Sequence, residues 1–456
     1  MWPPRLSLRV LRCPPRGRCA CGPAKPVPRP RLVWESSAHG YDSVFDTSLK
    51  MTAQNLYDLS PALRLMIMGL AVALAPLAWV WLRNKNASMA QRLRVLTLVT
   101  LFLTFDLVVF GAFTRLTDSG LGCPDWPGCY GSASPVGARM YIDAAQSAMP
   151  TGPVTHPKAW IEMIHRYLAT GVGVLILTLT VATWLAWRDE RRKARGTQRG
   201  NQVAAQVLSP WWPSVTLLWV CLQGAFGALT VTMKLFPAIV TLHLLGGLVL
   251  LALLMAQSQR YALAHERPAA TDAMSTLCPL DSRSRLLLMA GFTLLWLQIA
   301  LGGWVSTNYA VLACTDFPTC QNSLWPAMDF KQGFTLWREL GAGHDGAIIS
   351  FQALTAIHYL HRLVAYPVVA LLLALAVTLH RTPAFRRDAR WLAGLVGLQV
   401  VTGVSNVVLG WPLLAAVLHT GGAAALVLLL TRLVFSSRRS PATVHASKLP
   451  ASRSPA

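Results

Sequence analysis

Nine apolar stretches, each near the ~20 residues that a helix needs to cross a bilayer, recur along this chain of 456 residues. They fall at roughly 62–82, 95–115, 161–187, 213–233, 237–257, 285–305, 354–379, 389–409 and 412–434. In lipid every backbone polar group must find its partner within the protein, so such spans are helices. The chain therefore reads as an all-α polytopic membrane protein. Its charged fraction of 13% is about half that of a soluble domain, as this reading requires.

The net charge of +22 invites a nucleic-acid partner, but its distribution argues against one. The basic residues gather in 83–94, 188–199, 258–285 and 380–390 and in the tail 435–456, and the loops between are poorer in Lys and Arg. That alternation follows the positive-inside rule and puts the basic loops and the C-terminus in the cytoplasm. Loops 116–160 and 306–353 then face outward. Residues 1–50 stand apart, with nine Lys or Arg over their whole length and eight Pro in the first 30 positions. They fit either a transit peptide or a stretch upstream of a working start at Met51, and the second is the expectation.

An internal repeat organises the rest. "VVFGAFTRLTDSGLGCPDWPGC" (108–129) lies over "IALGGWVSTNYAVLACTDFPTC" (299–320) without a gap, matching Gly111 with Gly302 and each residue of a C-x-D-[WF]-P-x-C loop with its mate. The next span in each half carries His-Arg, at His165-Arg166 and His361-Arg362. Further on, "LQGAFGALT" (222–230) lies over "LQVVTGVSN" (398–406), and His243 and His419 follow at equal distance. Two four-helix halves result, 95–257 and 285–434, running the same way through the membrane as a parallel repeat. The span 62–82 is an extra helix outside them.

The repeated histidines carry the chemistry. His165, His243, His361 and His419 lie four to seven residues into spans that enter from the outer face, or ~6–11 Å deep at the rise of an α-helix. Two imidazoles per half at one depth are what a six-coordinate heme iron needs on its two axial faces. A lone intramembrane histidine bonded to a carbonyl is the plainer alternative, and zinc lacks further ligands at this depth. Nearby glycines (Gly171, Gly173, Gly246, Gly247, Gly421 and Gly422) would admit a macrocycle or simply a neighbouring helix. Arg166 and Arg362 suit heme propionates, or snorkel to the interface. Glu162, one turn before His165, has only His358 as its counterpart; an intramembrane carboxylate is a functional hypothesis by default. Asp106 is a second such acid and gains no role.

The motifs "GAFTRLTDSGLGCPDWP" (111–127), "EMIHR" (162–166), "TLHLLGG" (241–247), "LHR" (360–362) and "LHTGG" (418–422), in this order, make the chain resemble the heme A synthase family. The resemblance implies two pseudo-symmetric four-helix bundles and oxidation of the C8 methyl of heme O to the formyl group of heme A. It implies a resident heme b on His361 and His419, heme O as substrate on His165 and His243, and Glu162 as the acid beside the reacting group. A heme O synthase, an electron acceptor and a homo-oligomer are compatible partners. A bacterial cytoplasmic membrane is the expected setting, with the mitochondrial inner membrane as alternative. The loops Cys123–Cys129 and Cys314–Cys320 would lie on an oxidising face, where a disulfide is the default. A four-thiol zinc site and thiol–disulfide exchange during turnover remain open. Two other classes compete: a bis-histidine cytochrome relaying electrons to or from quinone, which needs no Glu162, and a transporter, which needs a central polar pathway.

Overall fold

The computed structural model describes residues 60–195, 209–266, 280–343 and 347–437. Segment 1–50 and most of the tail 435–456 lie outside the described residues. All nine expected spans are helices long and apolar enough to cross a membrane, and the protein is an all-α polytopic membrane protein.

Helix α1 is Ser60–Arg83 and α2 is Met89–Leu116. A short helix, α3 (Arg139–Ala148), precedes α4 (His156–Arg195), α5 (Trp211–Thr232) and α6 (Pro237–Glu266). The second half is built of α7 (Ser282–Thr307), α8 (Phe351–Arg381), α9 (Arg386–Val408) and α10 (Leu413–Ser437). Side-chain caps start several of these. Ser88 accepts from the amide of Gln91 and Ser350 from that of Ala353, while Asp281 accepts from that of Ser284. Each satisfies an N–H that the first turn leaves without a partner.

The helices form two closed rings. In the first, α2 packs on α4, α4 on α5, α5 on α6, and α6 back on α2. In the second, α7, α8, α9 and α10 close in the same order. The rings meet through α6 and α10, with α6 also touching α7 and α10 touching α2. Helix α1 lies outside, packed mainly along α4.

The duplication reaches the turns. Helices α2 and α7 end at left-handed residues Asp118 and Tyr309, with φ of 51° and 54°. Helices α5 and α9 end at left-handed pairs, Lys234-Leu235 and Gly410-Trp411. L-residues visit this region reluctantly, so its recurrence at matched positions of different type shows that backbone geometry outlasted sequence likeness.

The main apolar core, with Leu248, Leu251, Leu254, Leu288, Leu375, Val427 and Leu430 in it, joins both rings. It fills the end remote from the cysteine loops and leaves the loop end to the histidines. At that remote end Arg92, Arg191 and Arg260 lie over the rings of Trp81, Trp187 and Trp212. Such amphipathic pairs suit a membrane–water boundary.

Candidate heme sites

Helices α4 and α6 occupy opposite corners of the first ring and meet only through side chains, as at the Thr183 and Tyr261 hydroxyls, 2.9 Å apart; α8 and α10 are placed likewise in the second. These are the helices that carry the histidines, so each pair faces inward across its ring. His165 lies within electrostatic reach of His243, and His361 of His419.

Every one of the four imidazoles lies against a glycine of a neighbouring helix. A Cβ on Gly111 would stand 2.9 Å from His165 Nε2, and one on Gly302 2.9 Å from His361 Cε1. On the other side, a Cβ on Gly227 would reach within 3.4 Å of His243 and one on Gly403 within 3.3 Å of His419. The glycines are there for close approach: a methyl in the tighter two positions would push the ring aside. The repeat alignment already paired Gly111 with Gly302, but that pairing did not reveal their purpose. Gly246 and Gly422, expected near the macrocycle, instead lie against the side chains of Gln223 and Gln399.

Beyond the glycines the two sites differ. His361 Nδ1 lies 3.1 Å from Gln298 Nε2, and His419 Nδ1 lies 2.9 Å from Thr402 Oγ1. In the first ring His165 stacks on Phe110 at 6.3 Å between centroids, and the buried His243 Nδ1 has no hydrogen-bond partner.

The arginines after the first histidine of each pair are committed to the cysteine loops. Arg166 donates to the carbonyls of Asp125 (3.0 Å), Pro127 (3.2 Å) and Gly128, and Arg362 to those of Asp316 (2.9 Å), Thr319 (3.0 Å) and Cys314 (3.1 Å). Both guanidiniums, read from sequence as propionate contacts, thus act as clamps on the loops above. Glu162 joins the same clamp: one carboxylate oxygen pairs with Arg166 and the other accepts from the amide of Cys123 at 2.7 Å. In the second half His358 stands in its place and accepts from Arg362 at 3.3 Å. Asp106 is exposed on α2.

The loops are disulfide-closed, Cys123 to Cys129 and Cys314 to Cys320, with all four cysteines fully buried. Their shared aspartate is a turn residue. Asp125 accepts from the amides of Tyr130 (2.6 Å) and Gly131 (2.8 Å), and Asp316 from those of Gln321 (2.8 Å) and Asn322 (3.1 Å). These bonded residues all have positive φ, so each carboxylate holds a left-handed turn in shape.

The residues fit two heme groups: imidazoles only, paired across a ring, each seated in a glycine notch. Among the described residues no three His, Cys, Asp or Glu converge as a metal-ion cluster.

The sequence profile of the cytochrome oxidase assembly protein family (COX15-CtaA) matches residues 94–431, the whole of both rings' histidine machinery. The chain belongs to that family. Within it, the chain is similar to the heme A synthase of Shewanella oneidensis, 38% identical over 332 residues that cover 73% of this chain and 92% of the relative. It is also similar to the heme A synthases of Methylobacterium sp. (30% identical; 76% and 93% covered) and Rhizobium etli (28%; 78% and 92%). Family membership spans both rings; helix α1 precedes the matched region.

Proposed function

We propose that this chain is a heme A synthase, a membrane oxidoreductase that converts the C8 methyl of heme O to the formyl group of heme A. The observation that carries the reading is an asymmetric duplication. Two bis-histidine sites share one architecture, and a buried carboxylate, Glu162, stands beside only one of them.

The net change is R–CH3 + H2O → R–CHO + 4 H+ + 4 e−, so the site must orient the methyl, admit water and accept protons. His165 and His243 hold the substrate heme from its two faces. Glu162, three residues before His165, is the group that takes protons as the methyl is oxidised. Its bonds to Arg166 and to Cys123 fix the carboxylate and tie it to the disulfide loop that closes the outer end. His361 and His419 would hold a resident heme b, which supplies one-electron transfer when bound. The electrons leave to an acceptor outside the chain.

Orientation follows from charge and redox chemistry. Disulfides persist on oxidising faces, and basic residues stay on the cytoplasmic side. We accordingly place the cysteine loops and both sites toward the periplasmic side of a bacterial cytoplasmic membrane, with the C-terminus inside. Residues 1–50 are proposed to be dispensable.

The test is co-expression with a source of heme O, followed by extraction and chromatography of the bound hemes. Heme A is expected. A folded preparation that holds heme B and heme O but never heme A would favour an electron-relaying cytochrome instead. In parallel, His361→Ala and His419→Ala should each deplete b-type absorbance, and full absorbance in both would remove the resident-site assignment.

A further inference from the structure

The rings hold their histidines differently, and the difference lies in residues that the repeat aligns. Thr402 of α9 aligns with Phe226 of α5, and Gln298 of α7 with Leu107 of α2. The second ring thus has a polar group beside each imidazole, at positions where the aligned residue of the first ring is apolar.

At Thr402 the direction of the bond can be worked out. A hydroxyl has one hydrogen. Thr402 Oγ1 lies 2.7 Å from the carbonyl of Leu398, which can only accept, so the hydrogen goes there. Toward His419 Nδ1, at 2.9 Å, the hydroxyl oxygen is therefore the acceptor and Nδ1 the donor. With its proton on Nδ1, His419 presents the bare lone pair of Nε2, the nitrogen free to bind iron. Gln399 fixes the backbone beneath, donating to the His419 carbonyl at 3.1 Å.

Gln298 acts on the other ligand. Its amide nitrogen lies 3.1 Å from both Nδ1 and the carbonyl of His361, while its amide oxygen is buried without a partner. The carbonyl can only accept, so the amide nitrogen stays on it and is a donor toward Nδ1 as well; Gln298 holds the His361 ring in place without offering it an acceptor. No such help exists in the first ring. His243 Nδ1 is buried and unpartnered, and His165 has the face of Phe110.

We propose that Thr402 is a positioning residue that makes the second ring the retaining heme site, and that Phe226, in the aligned position, makes the first ring the releasing one. The proposal rests on the assignment of His361 and His419 as resident-heme ligands and gives a physical cause for it. An acceptor on Nδ1–H raises the basicity of a ligating imidazole and locks its orientation, and losing such a partner typically weakens metal binding ~10–100-fold. A substrate that must leave as product needs the weaker hold.

The test compares Thr402→Val, Thr402→Ser and Phe226→Thr in the purified full-length protein. The readouts are heme per chain, the midpoint potential of the b-type absorbance, and the rate of heme transfer to an apo-globin scavenger. Thr402→Val should raise the midpoint potential and speed loss of the resident heme roughly 10–100-fold, while Thr402→Ser keeps the acceptor and stays near wild type. Phe226→Thr should slow release from the first ring. Thr402→Val and Thr402→Ser behaving alike, or an unchanged potential in Thr402→Val, would overturn the proposal. His419→Ala separates the two levels: if it keeps the b-type heme, the ligand assignment itself fails.

Discussion

Glu162 has two functions that can be pulled apart. It balances the buried Arg166 and holds the amide of Cys123, and it is proposed to take protons from the substrate. Glu162→Gln keeps an oxygen for the Cys123 amide but cannot accept a proton. It is expected to keep wild-type heme content while heme O conversion falls ~100- to 10,000-fold, the usual contribution of a general base. Glu162→Ala strands a buried guanidinium and should also lower stability by about 3–5 kcal/mol, read by thermal unfolding. The glycine notches make a graded prediction. Gly302→Ala sets a methyl 2.9 Å from the His361 ring, overpacking that costs about 1–3 kcal/mol, so b-type heme should be largely lost. Gly403→Ala, at 3.3 Å, should be milder by the same heme assay. At this scale sequence was an uneven guide. The four histidines stood out because an imidazole within an apolar span is costly and these recur. Arg166 and Arg362 were visible, but their bonds to the loop carbonyls were not, since a guanidinium near a membrane surface suits a propionate as well as a carbonyl. Thr402 and Gln298 were invisible, because threonine and glutamine inside a span mark nothing until a ring nitrogen is seen beside them.

At the scale of elements, the cysteine loops behave as small rigid units whose charge can be tested. The hydroxyl of Thr319, helped by the amides of Asn322 and Gln321, holds the carboxyl of Asp316 below the usual carboxylate range. A carboxyl lowered in the folded state stabilises the fold at pH above its unfolded value, ~4. That contribution is lost as pH falls through the lowered folded value. Hydrogen exchange at the Gln321 and Asn322 amides should therefore stay slow to below pH 4 in the wild type. In Thr319→Val protection should fail at a higher pH, and identical profiles would contradict the carboxylate's role. The helices themselves were legible to within a few residues, since apolar length is a strong signal. The departures come where polarity hides helix. Helix α4 begins at His156, not 161, and its 40 residues extend about 60 Å, well past the bilayer on polar turns. Helix α3, amphipathic and only 10 residues long, left no apolar run to notice.

For the whole molecule, a chain that starts at Met51 should convert heme O as well as the full chain does, measured by the same extraction and chromatography. A loss of conversion with normal membrane insertion would give 1–50 a function. The parallel repeat was legible because the loops and histidines preserve it. The closed rings were not, since sequence order does not say which helices share a corner. One pair of contacts between the rings carries a consequence for symmetry. Arg115 donates to the carbonyl of Ser306 at 2.6 Å, and Tyr309 donates to Asp118 at 2.6 Å. Both pairs are 191 residues apart, the offset of the repeat, so each residue touches its own mate. Positions meet their equivalents only where a two-fold axis passes between them, as in an isologous dimer. The junction therefore lies on the pseudo-two-fold axis that relates the halves. Because the halves are not identical, that axis need not pair like with like, and Arg115 faces Ser306, and Tyr309 Asp118, in complementary rather than repeated contacts.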